Sequence, residues 1–266
     1  MGLRRAGLVL LWSVMSGMTG CASIPTSFHP AHPISLQEWT HQAFDGVVRT
    51  HVTVGEVDYP AMAREPRFSQ YLNELDRVDP NGLVSREARL AFWINAYNAF
   101  AIKGILDGGS PQTLWGQYRF FVATAYRVGG ELINLYDLEQ KILIPVFQEP
   151  RIHFAIVCAS RSCPRLRSEA YVADRLEAQL DESAGGFVND PTKNRFDREH
   201  RVAAVSMIFK WFRGDFEAQA GSLAQYLARY VSDPELARDL KTESYRIEFL
   251  DYDWSLNGVP YAGSAG

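Results

Sequence analysis

The sequence predicts an α+β domain, helix-rich around a buried central helix with a small antiparallel sheet. Helical segments outnumber strand-like ones and do not alternate strictly with them, which argues against a wound parallel sheet. Residues 90–102 are apolar on nearly every face, the pattern of a helix packed on all sides. Gly129-Gly130 separates two short strand-like runs, as a two-residue hairpin turn does.

Taken in order, Ser35 stands where it would cap a helix through Trp39, Phe44 and Val48, and residues 60–75 repeat apolar side chains at helical spacing. Asp79-Pro80-Asn81-Gly82 is a turn. Ser85 caps the central helix, residues 87–106, which Gly108-Gly109 closes. Strands at 120–128 and 131–133 flank the glycine pair, and Asn134, with Asp137 three residues on, opens a helix through Ile142. After Pro150, residues 152–157 are apolar and rich in β-formers, which reads as a buried strand. A helix at 174–187, a hairpin-like turn near Asp190-Pro191, helices at 206–212 and 223–231 and a strand at 245–250 complete the chain. With no internal repeat, low-complexity tract or second linker, one domain over residues 34–261 is expected, with 262–266 as a tail.

The N-terminus carries export information. Arg4 and Arg5 precede an apolar run from Ala6 to Met15, and small residues then lead into Thr19-Gly20-Cys21, so residues 1–20 read as a secretory signal too short for a comfortable membrane span. Thr19-Gly20-Cys21 resembles the lipobox of bacterial lipoproteins, which implies cleavage before Cys21 and a diacylglyceryl thioether on its sulfur. Two or more acyl chains, at about 0.8 kcal/mol per buried methylene, anchor a protein stably without spanning. Ala22 stands where Asp would signal inner-membrane retention, so the resemblance implies an outer-membrane protein facing the periplasm, with residues 21–33 as a lipidated tether. Loss of the signal removes two positive charges and no negative ones, taking the formal charge from −4 to −6. So acidic a chain is a poor ligand for nucleic acid.

Chemistry concentrates at residues 152–164, where His153, Cys158 and Cys163 fall in an apolar run. His-x4-Cys-x4-Cys suits a thiol nucleophile, a disulfide or three metal ligands. Metal fits least, because Cys-x4-Cys is wider than the usual Cys-x2-Cys knuckle and no fourth ligand is evident; no cofactor is expected. With Cys21 lipidated, Cys158 and Cys163 are the remaining thiols, in a compartment that permits a disulfide across their four-residue loop. On a regular strand His153 and Cys158 point to opposite faces, which makes Cys163 the better partner for the imidazole.

Several segments resemble the family known as domain of unknown function 547: Val57-Asp58-Tyr59, residues 92–99 (Phe-Trp-Ile-Asn-Ala-Tyr-Asn-Ala), Leu138-Glu139, residues 152–164, residues 206–212 with Asp215-Phe216, and residues 252–257 (Tyr-Asp-Trp-Ser-Leu-Asn). They span about two hundred residues in the expected order, and the resemblance supplies motif positions without roles. Family members often have Arg after the Leu138-Glu139 helix, whereas this chain has Ile144-Pro145, expected to shorten that helix and remove a carboxylate partner.

Candidate roles then come from chemistry. Asn95 and Asn98 share one face of the buried helix and must bond something specific, either neighbouring backbone or an imidazole or oxyanion. The enzyme reading takes Cys163 as nucleophile, His153 as base, and Asn95 or Glu139 as the group orienting the ring. A buried helix beside a histidine strand distantly resembles papain-like and transglutaminase-like folds, although the central helix here has no cysteine. Trp211, Asp215 and Trp254 are candidate substrate contacts, or simply core and rim. His29, His32, His41, His51 and His200 look like surface residues. The expected function is a thiol-dependent hydrolase or acyl transferase acting on amide bonds of an envelope peptide. The competing reading is a non-catalytic envelope binding or assembly module stapled by Cys158–Cys163.

Overall fold

The computed structural model describes residues 28–37, 39–242 and 245–261. Cys21 and the expected signal lie outside them.

Helix α1 (Gln42–His51) leads through strands β1 (Val52–Thr53) and β2 (Glu56–Asp58) into α2 (Tyr59–Met62) and α3 (Pro66–Arg77). Ser35 caps no helix; α1 starts seven residues later, and the expected 60–75 helix is split at Pro66, whose ring cannot continue a preceding helix. The central helix α4 (Arg86–Leu106) forms as expected, with Ser85 Oγ accepting the Ala88 N–H at 3.0 Å. It buries fifteen residues from Leu90 to Ile105, so its stability comes from packing on all sides.

After α5 (Leu114–Tyr118), residues Arg119–Ala123 form a π-turn, which replaces the first half of the expected 120–128 strand. Strands β3 (Ala125–Val128) and β4 (Glu131–Asn134) pair antiparallel around Gly129-Gly130, both at positive φ (60° and 84°), the conformation a two-residue hairpin requires. Asn134 caps α6 (Leu135–Asp137), which passes through a π segment (Leu138–Leu143) into α7 (Ile144–Phe147). Pro145 therefore does not shorten the helix as expected. Pro145 stands in the first turn of the helix that follows, directly after the wide π turn in which the Ile144 N–H bonds the Glu139 carbonyl.

Residues 152–157 are the main departure: Pro150–Phe154 is a 3-10 turn. Pro150 has the φ of a first helical residue, Glu149 caps the turn by accepting the Arg151 N–H at 3.1 Å, and the Arg151 guanidinium binds Glu149, Glu177 and Asp181 at 2.7–2.8 Å. These bonds, one partner adjacent and two on a later helix, outweigh the β-propensity of Ile152 and Phe154. The rest of the chain comprises α8 (Leu176–Val188), β5 (Arg195–Asp197), β6 (Val202–Val205), α9 (Ile208–Trp211), α10 (Arg213–Ala220), α11 (Leu223–Leu227), α12 (Pro234–Lys241), β7 (Arg246–Phe249) and β8 (Gly258–Val259). The turn joining β5 to β6 is at residues 198–201, not Asp190-Pro191.

The α+β class holds, in a single compact domain, but the one small antiparallel sheet is instead three small ones. Two of these are mixed, because β2 pairs parallel with β8 and β6 parallel with β7. A Cβ on Gly258 would lie 2.1 Å from the Val57 carbonyl oxygen, so only glycine lets β8 approach β2 so closely. Within the segment expected to be a tether, Phe28 is buried, its ring 5.5 Å from that of Trp93, whereas residues 31–33 are exposed. No described helix is long and apolar enough to cross a membrane.

The core has two clusters, one around α4 and one around Phe187, Phe209, Phe216 and Tyr226. The turn bearing His153 runs along their seam: Ile152 and Ile156 pack into the first and Phe154 into the second.

Candidate functional site

A pocket of about 40 Å³, room for about one water molecule, opens at this seam and is lined by His153, Cys158 and Cys163 together with Tyr97, Glu139, Ile208, Trp211, Phe212, Tyr252 and Trp254. With Phe121 it unites six separate sequence segments, so its composition is a tertiary product.

Asn98 places the histidine turn: its amide donates to the Ala155 carbonyl at 2.9 Å and accepts the Val157 N–H at 2.8 Å. His153 is stacked on Phe212 with ring centroids 3.8 Å apart, with Phe216 at its edge. Its Nε2 donates to Asp215 Oδ2 at 2.8 Å. Burial lowers the imidazole pKa, and Asp215 offsets this only in part. The neutral ring with its proton on Nε2 therefore carries a lone pair on Nδ1, a buried atom with no hydrogen-bond partner.

Glu139 lies on the π segment, a backbone irregularity common at functional sites. Burial pushes its carboxyl up to about 8, against the Tyr97 hydroxyl that donates to it at 3.4 Å and with a further push from the Asp215 charge. At neutral pH it is a protonated acid beside a neutral base. Pairs whose environments separate their protonation states in this way are a signature of acid–base chemistry.

Cys158 and Cys163 form a disulfide with Cα atoms 6.3 Å apart. Cys163 Sγ also accepts the Cys158 N–H at 3.0 Å and contacts the Tyr252 hydroxyl at 3.1 Å and the Ser160 hydroxyl at 3.3 Å. Between the two cysteines Ala159 adopts φ 59°, a strained conformation for an alanine. The C-terminal segment clamps this loop: Arg161 and Ser162 donate N–H bonds to Ser255 and Asp253, and Asn257 donates to Ala159. Asn257 Oδ1 accepts the Tyr59 hydroxyl at 2.7 Å, which accounts for the Val57-Asp58-Tyr59 and residue 252–257 motifs as two sides of one clamp.

Cys163 and Pro164 separate the small pocket from a groove of about 690 Å³. Arg161, Arg165 and Lys193 line it with Glu56, Asp251 and Asp253, so the groove presents both signs of charge.

The structure thus brings Glu139, His153, Cys158, Cys163, Trp211 and Trp254 together and leaves Asn95 out. Asn95 donates to the Tyr171 carbonyl at 2.8 Å and accepts the Tyr171 N–H at 2.9 Å, so its amide is a backbone clamp that does not orient the ring. Glu139 does not orient it either. That place belongs to Asp215, expected to touch substrate. Tyr97, which lines the pocket, and Ser160, which lines the groove, were not singled out by sequence reasoning, although Tyr97 lies within a recognised motif and Ser160 sits between the cysteines. Of the histidines read as surface residues, His41 and His51 are partly buried, and bond Tyr71 Oη at 2.7 Å and Glu65 at 3.2 Å. Among the described residues no group of three His, Cys, Asp or Glu side chains is arranged to hold a metal ion.

No curated protein and no solved structure matches the chain. The model of the family described as protein of unknown function, DUF547, matches residues 82–188, which contain α4, Glu139, His153 and both cysteines of the pocket, whereas Trp211, Asp215, Tyr252 and Trp254 lie beyond it. That match covers about two fifths of the chain and supports the resemblance read from the motifs.

Proposed function

We propose that this is a lipid-anchored protein of the bacterial cell envelope, held at the outer membrane through Cys21 and facing the periplasm, whose pocket catalyses thiol-dependent hydrolysis or acyl transfer on amide bonds of an envelope peptide. The observation that carries the catalytic part is the convergence on one pocket of a sulfur held by hydrogen-bond donors, a neutral imidazole oriented by a carboxylate, and a protonated buried acid. In this scheme reduction of the disulfide frees Cys163, and His153 Nδ1 takes its proton. The thiolate attacks the amide carbonyl carbon, and the amine leaves with a proton from the imidazolium or Glu139. Water or a second amine then cleaves the thioester. The small pocket admits no more than the tip of a side chain, so the backbone of a peptide substrate lies in the mixed-charge groove on the other side of Cys163.

Alkylation of the protein after reduction with a phosphine tests this reading. Cys163 should react with half-maximal rate below pH 8.5, the ordinary thiol value, and His153→Ala should move that midpoint upward. An activated acyl ester should leave a thioester on Cys163 of the reduced protein only. Ordinary thiol behaviour with no thioester would leave the competing reading, a non-catalytic binding or assembly module, which the closed disulfide and the aromatic wall favour. The anchor has its own test: Cys21→Ser should block lipidation and leave unprocessed precursor, and mature protein of normal mass from that variant would end the lipoprotein reading.

A further inference from the structure

We propose that the Cys158–Cys163 disulfide undergoes thiol–disulfide exchange with external thiols, which attack Cys158 Sγ and expel Cys163 as the thiolate. This is an activity in its own right and does not require acyl transfer, although it would supply the reduced Cys163 that acyl transfer needs.

Two asymmetries set the direction. Cys158 is half-buried, whereas Cys163 is 4 % exposed, so an incoming thiolate meets Cys158 first. Exchange is also faster when the leaving sulfur is the better thiolate. Cys163 Sγ accepts the Cys158 backbone N–H at 3.0 Å, a donor that Cys158 Sγ lacks. The Tyr252 hydroxyl has one proton to give and lies closer to Cys163 Sγ, at 3.1 Å against 3.4 Å for Cys158. Ser160 Oγ, donating its own proton to Tyr252 Oη at 3.0 Å, polarises that hydroxyl towards the sulfur. Ser160 Oγ lies at comparable distances from both sulfurs, 3.2 Å from Cys158 and 3.3 Å from Cys163, so the backbone N–H and the nearer Tyr252 hydroxyl make the difference, and the negative charge released by the broken bond falls on Cys163.

Atoms and electrons balance without a cofactor. A thiolate RS⁻ attacks Cys158 Sγ, the sulfur–sulfur bond breaks, and Cys163 leaves as the thiolate, giving a mixed disulfide between Cys158 and R. A second thiolate attacks the sulfur of R and forms the external disulfide. Cys158 departs as a thiolate and takes a proton from Glu139, the protonated acid lining the same pocket. Two external thiols are oxidised and the protein disulfide is reduced; the reverse sequence reoxidises it. Closure is favoured because the loop is held without the sulfurs: Arg161 N–H to Ser255 O at 2.8 Å, Ser162 N–H to Asp253 O at 3.1 Å and Asn257 N–H to Ala159 O at 3.1 Å keep the cysteines within bonding range.

The mature protein should be reduced reversibly by glutathione without denaturant. Rapid alkylation during the first phase should find glutathione on Cys158 and the alkyl group on Cys163. Tyr252→Phe should slow that phase about tenfold, since a hydrogen bond to a charged group is worth about 1.5 kcal/mol. A cysteine-containing peptide run in parallel distinguishes the source: faster reaction with the peptide points to a protein substrate, faster reaction with glutathione to a small thiol. Reduction that requires denaturant, or glutathione trapped on Cys163 with Cys158 alkylated, overturns the proposal. Mapping that intermediate in the unaltered protein needs no variant and no acyl donor, so this result and the acylation result are read separately.

Discussion

Arg151 and His153 stand two residues apart on the same 3-10 turn, and their surroundings are opposite in kind. The Arg151 guanidinium is met by three carboxylates, and although burial pushes Glu149 up, the bonds from Arg151 outweigh it and hold that carboxyl below its usual range. Around His153 the charges are unbalanced. One half-exposed carboxylate meets one ring nitrogen, the other nitrogen is unpartnered, and Glu139 has no cation and stays protonated up to about 8. Glu149 and Glu139 are similarly buried, and the cation beside Glu149 is what lets its charge be tolerated. The satisfied side holds the turn in place. The unsatisfied side is where a fold keeps groups that must change protonation.

Breaking the satisfied side should have the largest effect. Arg151→Met strands the Glu149 carboxylate and should cost about 3 kcal/mol in denaturant unfolding, and adding Glu149→Gln should recover most of it. A single variant as stable as the parent would show that the network does not hold the turn.

Neutralising the unsatisfied side should do the reverse. Glu139 binds its proton more tightly folded than unfolded, so its contribution is fully present below about pH 4.5, falls as pH rises, and is lost by about pH 8. Glu139→Gln should therefore match the parent near pH 4 and exceed it at pH 8 by an amount on the order of 2–3 kcal/mol. Parallel stability curves from pH 4 to 8 would mean that the carboxyl is not held protonated.

The His153–Asp215 pair separates stability from reactivity. Asp215→Asn should change stability by no more than about 1 kcal/mol, because the Asp215 side chain is 37 % exposed, yet slow alkylation of reduced Cys163 near pH 7. Unchanged alkylation would remove Asp215 from the acid–base set. The smallest effect belongs to the rim of the satisfied side: Glu177, 61 % exposed, should tolerate Glu177→Gln within about 0.5 kcal/mol by thermal unfolding.

The sequence by itself determined the elements whose signals are local and uncontested. Ser85 and the all-apolar run after it fixed the central helix, Gly129-Gly130 the hairpin, and Asn134 the start of its helix. It also placed His153, Cys158 and Cys163 together, since thirteen residues cannot stray far. Only the tertiary structure decided the 3-10 turn at 150–154, because Ile152 and Phe154 favour a strand until Arg151 finds Glu177 and Asp181 on a helix more than twenty residues away. For the same reason Asp215, and not Asn95 or Glu139, orients the imidazole, while Asn95 takes the backbone-bonding role that was the other expectation for it. A buried amide or carboxylate declares only that it needs a partner, and which partner it meets, Tyr171 or His153, depends on how two separately formed core clusters close on each other.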